Sequence, residues 1–126
     1  MRRVSKNKAA RDAEEAAFKR KLCDELGVCE ICGPDATRAK SDIELHHIAR
    51  GCHREKASVE RCAVLLLCWT CHKLRVHGKV EWPQSRQLAV LKRSRPQDYD
   101  LAAFNALVGW GRYRITEDDV KQWGDK

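Results

Sequence analysis

Two C-x-x-C pairs, Cys29/Cys32 in "CEIC" and Cys68/Cys71 in "CWTC", constrain this chain more than any other feature. Two thiolates at that spacing grip one ion, and two such knuckles complete a tetrahedron. A sulfur-only set of four suits structural Zn²⁺, which needs no redox chemistry and no open position. A redox role calls for a single pair within a thioredoxin-like βαβ pattern, which the chain lacks. The knuckles stand 35 residues apart, too far for a simple zinc ribbon. The intervening segment must therefore loop out from the ion, and it carries the adjacent histidines His46 and His47.

The other cysteines do not suggest disulfides. There are seven in all, an odd number. The chain begins with a charged stretch, "MRRVSKNKAARDAEEAAFKRK", unlike a signal peptide or membrane span. The expectation is an intracellular, cytoplasmic protein with no membrane partner, in a reducing compartment where clustered Cys pairs bind metal. Cys23 and Cys62 read as small core residues. Cys52, followed by His53, offers a second soft site without a matching partner pair. The net charge of +7 over 126 residues favours a polyanionic partner, most often nucleic acid.

Periodicity divides the chain into three stretches. Residues 1–27 form a basic N-terminal helix, with Ala13, Ala16, Ala17, Phe18, Leu22 and Leu26 near helical spacing and Gly27 as a stop signal. Through Lys21 it holds eight Lys/Arg against three acids, which suits either an arm along phosphates or a solvated helix face. Residues 28–82 hold six of the cysteines and all five histidines. There "SDIELHHI" reads as a strand ending at the histidine pair, "CAVLLLC" as a short buried strand, and "WTCHKLRVHG" as a short helix stopped by Gly78. Residues 83–126 are a helical extension packing on that module. Pro83 suits the first turn of its first helix, Pro96 marks the break, and Asp100 is an N-cap. Thr116 with Asp119 makes a variant capping box. The fold class expected is α+β.

A histidine pair at a strand end, a second strand, then "CxxCH" opening a helix is more than a zinc staple needs. Together "CEIC", "ELHHI", "LLLCWTCH" and His77 followed by Gly78 resemble the HNH (His-Me finger, ββα-metal) endonucleases, particularly their zinc-stapled phage and bacterial branch. The resemblance covers about residues 28–78. It implies a small ββα-metal core stapled by zinc on Cys29, Cys32, Cys68 and Cys71. It also implies a metal-dependent endonuclease hydrolysing phosphodiester bonds, in DNA in preference to RNA, within a bacterial or phage-infected cytoplasm. His47 would be the general base, taking a proton from water in line with phosphorus. His46 and His72 would hold one divalent ion, with His77 as a further ligand. Imidazoles suit Mn²⁺, Ni²⁺, Co²⁺ or Zn²⁺, whereas Mg²⁺ prefers oxygen. The neighbouring imidazoles would meet at one phosphate-sized pocket.

His77 fits less simply. Five residues after His72, it falls roughly 140° around a regular helix, where it reads equally as a C-terminal histidine facing the helix dipole. The DNA backbone would be met by Arg50, Arg54, Lys56, Arg61, Lys73 and Arg75, with Lys92, Arg93 and Arg95 beyond. Trp69 reads as knuckle packing or a stacking platform, and Trp82 and Trp110 as core. The chain departs from the family pattern at Ala63, where the middle Asn of the motif normally stands. Either Glu60 or Ser58 takes over its task, or the chain is a weak or inactive zinc-stabilised nucleic-acid-binding or adaptor protein.

Overall fold

The computed structural model describes residues 2–33, 43–49, 59–108 and 114–124. Arg50, Cys52, His53, Arg54, Lys56, Ser58 and Trp110 lie outside the described residues. The elements are helix α1 (Arg2–Leu26), strand β1 (Ile43–His47), a 3₁₀ turn at Arg61–Ala63 and strand β2 (Val64–Cys68). A π-helical stretch, Cys71–Val76, and helices α2 (Gln84–Ser94), α3 (Leu101–Val108) and α4 (Glu117–Gly124) complete them. The protein is thus mixed helix with a small two-stranded antiparallel sheet, and four of its cysteines lie close enough to share a metal ion.

The strands are antiparallel, pairing Ile43 with Cys68, Leu45 with Leu66 and His47 with Val64. All five residues of β2 are buried, which explains its unbroken "VLLLC" run: a strand covered on both faces shows no polar alternation. In β1 the period of two matters, because it sends adjacent side chains to opposite faces. Ile43, Ile48, Leu65, Leu66 and Leu67 join Leu88, Leu91 and Phe104 in one core. Fully burying each such side chain contributes about 1.5–3 kcal/mol.

Helix ends follow the signals in the sequence. Gly27 stops α1 in the left-handed conformation (φ +69°), and its N–H donates to Cys23 O at 2.7 Å. The C-terminal part of α1 joins the core through Leu22 and Cys23, with Phe18 and Leu26 partly buried; residues 8–14 are exposed. Pro83, in extended backbone, is the N-cap residue of α2. Asp100 Oδ1 accepts the Ala103 N–H at 2.9 Å. Asp119 N–H donates to Thr116 Oγ1 (3.2 Å) while Thr116 N–H donates to Asp119 Oδ2 (2.9 Å), a reciprocal capping box. Those bonds hold the Asp119 carboxyl below its usual range.

A buried ion pair ties the first knuckle to the rest. Glu30, between Cys29 and Cys32, accepts from Arg95 Nε at 2.7 Å and from its terminal nitrogen at 3.2 Å. The same carboxylate accepts the Leu66 N–H of β2 (2.7 Å) and the Ser94 hydroxyl (2.6 Å). Arg95 also donates to Val64 O and to Asp98. The sequence reading of Arg95 as a phosphate anchor is therefore corrected. The side chain is fully buried, and an isolated charge there would be prohibitive without these partners.

Candidate functional site

Two ligand clusters draw on the π-helical stretch, through Cys71 in one and His72 in the other. In the first, the thiols of Cys29, Cys32, Cys68 and Cys71 lie within 4.8 Å of one another. Cys32 Sγ is 3.8 Å from Cys68 Sγ and 3.5 Å from Cys71 Sγ. A tetrahedral ion with Zn–S bonds of about 2.3 Å requires sulfurs about 3.8 Å apart. The four thiols are unbridged, and at these separations they are spaced as ligands and not as disulfides. The donor set therefore fits a structural zinc. Burial raises the Cys71 and Cys32 thiols above their ordinary value. Cys68 also feels burial, but hydrogen bonds from the Cys71 N–H and thiol outweigh it and bring Cys68 down to about 7.

In the second cluster, one ring nitrogen each from His46, His72 and His77 lies within 4.8 Å of the others. The ring centroids are 5.0–5.1 Å apart. His77 belongs to this trio because the helix is not regular. Its N–H donates to His72 O at 3.0 Å, a bond back five residues. That closes a turn one residue wider than an α-turn, so residues five apart stack instead of diverging. Gly78 makes the tight exit possible, since a Cβ there would lie 2.5 Å from Leu74 O.

Each imidazole of the trio has a partner that sets its tautomer. His72 Nδ1 meets Glu44 Oε1 at 2.8 Å, and His77 Nδ1 meets Glu81 Oε1 at 2.8 Å. Both carboxylates accept a proton-bearing Nδ1, which leaves Nε2 with its lone pair. His46 Nε2 faces Gln87 Oε1 at 2.5 Å. The Gln87 amide is oriented by its own donation to Trp82 O at 2.9 Å, so its oxygen is the atom His46 sees, and Nδ1 of His46 keeps the lone pair. Burial, helped by the neighbouring histidines, holds His46 down to about 4, so it is neutral at pH 7. Three imidazole nitrogens gathered in this way are the donor set of a divalent transition metal.

His47 stands apart from the trio. Glu44 and His46 share one face of β1, as the Glu44–His72 bond requires, and His47 lies on the other with Leu45. There its Nε2 is 3.1 Å from Glu15 Oε1 of α1. The expectation that His46 and His47 open into one pocket is corrected by this alternation. A cavity of about 310 Å³ lies beside Glu15, lined by Asp12, Lys19 and Leu45. Ala63, where the motif's Asn would be, is fully buried in the core, and its carbonyl accepts the Ile48 N–H at 2.9 Å. Glu60 is exposed.

The basic residues divide. Arg61 is held by Glu25 (2.7 Å) and Asp98 (2.9 Å), so its charge is already met within the chain. Lys73 and Arg75 are exposed on the π-helical stretch. Trp69 is 55% exposed and does not pack as knuckle filling. The residues that sequence reasoning missed are Glu15, Glu44, Glu81 and Gln87. Only Glu81 carried a local signal, four residues after His77. Among the described residues, no helix is long and apolar enough to cross a membrane. No family model, curated protein or solved structure matches the chain.

Proposed function

We propose that the protein is a metal-dependent endonuclease of the HNH type, acting on phosphodiester bonds in DNA, with a zinc-stapled ββα-metal core. The observation that carries this reading is the trio His46, His72 and His77, three lone pairs gathered beside a zinc-type knuckle. A divalent ion held there supplies charge stabilisation for a phosphate and its departing 3′ oxygen. The chain's own residues supply the rest. Glu44, Glu81 and Gln87 keep the three rings in the ligating tautomer. Glu15 accepts a hydrogen bond from His47 Nε2 and orients the imidazole, which takes a proton from water. In this reading Glu15 stands in for the Asn that Ala63 replaces. His47 ends β1, so a phosphodiester lying across the strand end reaches both faces.

A second reading is a zinc-stabilised DNA-binding relative without cleavage. It is favoured by the placement of His47 away from the trio, beside acidic Glu15 and Asp12, which repel phosphate. Plasmid nicking separates the two. With Mn²⁺ or Ni²⁺ the wild type should nick, and His47→Ala should lower the rate by about 10²–10⁴-fold, the usual weight of a general base. A variant that cuts as fast as wild type removes His47 from the mechanism. DNA binding with no cutting under any divalent ion supports the second reading.

A further inference from the structure

Between the first knuckle, the π-helical stretch, α2 and α4 lies a cavity of about 320 Å³. Its walls bring together Arg75, Arg86 and Arg93 with Trp82 and Trp123, and among the described residues no acid lines it. We propose that this cavity is a binding site for the phosphate groups of a nucleic-acid strand. It rests on the preceding reading only in taking nucleic acid as the source of the phosphate.

Arg86 is central. Its guanidinium stacks 3.6 Å over the Trp82 ring and 5.2 Å from that of Trp123. Stacking fixes the plane and removes water from its faces, while the N–H edges remain available for hydrogen bonding. Among the described residues no carboxylate pairs with Arg75, Arg86 or Arg93. By contrast Arg61, Arg95 and Lys92 each have an acidic partner. Three unmatched guanidiniums on one concave wall repel one another, and an anion relieves that repulsion. A planar fork suits phosphate oxygens better than a point charge does. Trp123 is itself fixed, its indole N–H donating to Ser85 Oγ at 3.1 Å.

The cavity and the histidine trio share supporting residues. Arg75 lies between His72 and His77 in the chain, and the Trp82 carbonyl orients Gln87, which holds His46. A strand anchored here passes beside the proposed metal centre.

The test is binding of a labelled twelve-nucleotide thymidine strand, followed by fluorescence anisotropy over a range of salt concentrations. ATP and inorganic phosphate are titrated separately against intrinsic tryptophan fluorescence. Each phosphate contact contributes about 0.7 to the slope of log K on log salt for a single strand. The double variant Arg75→Ala/Arg93→Ala should therefore flatten the slope by about 1.4. Both residues are exposed, so an unchanged melting curve is expected. Arg86→Lys keeps the charge and should weaken binding several-fold with the slope unchanged. Quenching by ATP alone would keep the phosphate site and assign it to a free nucleotide. Equal affinity and slope in all variants, with no quenching by ATP, overturns the proposal. Plasmid nicking by the wild type separates the two readings: a wild type that cuts, with every variant unaltered in binding, sinks only the cavity, and a wild type that never cuts, with the variants altered in binding, sinks only the nuclease.

Discussion

Arg95→Met should unfold the protein far more readily than any exposed Arg→Met change. Methionine matches the arginine stem as far as Nε and lacks the guanidinium carbon and terminal nitrogens, so a small void adds to the main loss, the charge left behind. The substitution removes both bonds to Glu30 (2.7 and 3.2 Å) and the bond to Asp98 (3.0 Å). The Glu30 carboxylate, fully buried, then keeps only the Leu66 N–H and the Ser94 hydroxyl. Stranding one partner of a buried pair costs about 3–5 kcal/mol, a large part of a total stability of roughly 5–15 kcal/mol. With an unfolding entropy of about 2.1 cal/mol/K per residue, that corresponds to a fall in Tm of roughly 11–19 °C for a chain of this length. The assay is thermal unfolding by circular dichroism at a fixed excess of Zn²⁺, since bound metal itself shifts Tm. Glu30→Gln in the same background neutralises the stranded charge and keeps an acceptor for Leu66, so the double variant should be more stable than Arg95→Met alone. Because Glu30 sits between two zinc ligands, zinc affinity measured against a chromophoric chelator should fall about 10–100-fold in Arg95→Met. A Tm within about 3 °C of wild type, or strictly additive single variants, would refute the claim that this pair holds the knuckle to β2 and α2.

Other perturbations follow from the same geometry. Stripping metal with a strong chelator, or Cys71→Ser, should abolish cooperative unfolding of the knuckle region, because ligand binding supplies part of the folding free energy; a sigmoidal melt of unchanged Tm would contradict this. Glu44→Gln should weaken binding of a second ion, followed with Co²⁺, by about 10–100-fold while leaving the four-cysteine zinc intact; equal affinity would show that the trio does not ligate. Asp98 feels burial, but hydrogen bonds from Arg61 and Arg95 outweigh it and hold its carboxyl below the usual value of 3.8. Its contribution is thus present above pH 4 and lost as the pH falls through the lower folded value, and Asp98→Asn should flatten the acid limb of a stability–pH curve. Tyr99 is pushed up to about 12 by burial and Glu117, so its contribution is present below pH 10 and lost between 10 and 12. Tyr99→Phe should remove that alkaline loss.

The four-cysteine cluster was legible in the sequence because C-x-x-C spacing is a local rule and chemistry limits what four thiols can share. The strands, the Gly27 stop, the Asp100 cap and the Thr116–Asp119 box were legible for the same reason: each depends on residues a few positions apart. The pairing of His77 with His72 was not, because an α-helical count separates them and only a one-residue widening of the turn brings them together. Nor was the separation of His47 from His46 given its weight, although strand alternation implies it once Glu44 is tied to His72.

Local sequence dictates the set of donors: four cysteines, three histidines and a surplus of arginine, arranged on elements whose boundaries their neighbours dictate. Which charges are matched depends on folding. Arg95 meets Glu30 across 65 positions, His46 meets Gln87 across 41 and Arg61 meets Glu25 across 36, while Arg75, Arg86 and Arg93 face a cavity that no acid lines among the described residues. A charge has the same identity wherever it stands in the chain, but its energy depends on what folding places within a few ångströms of it.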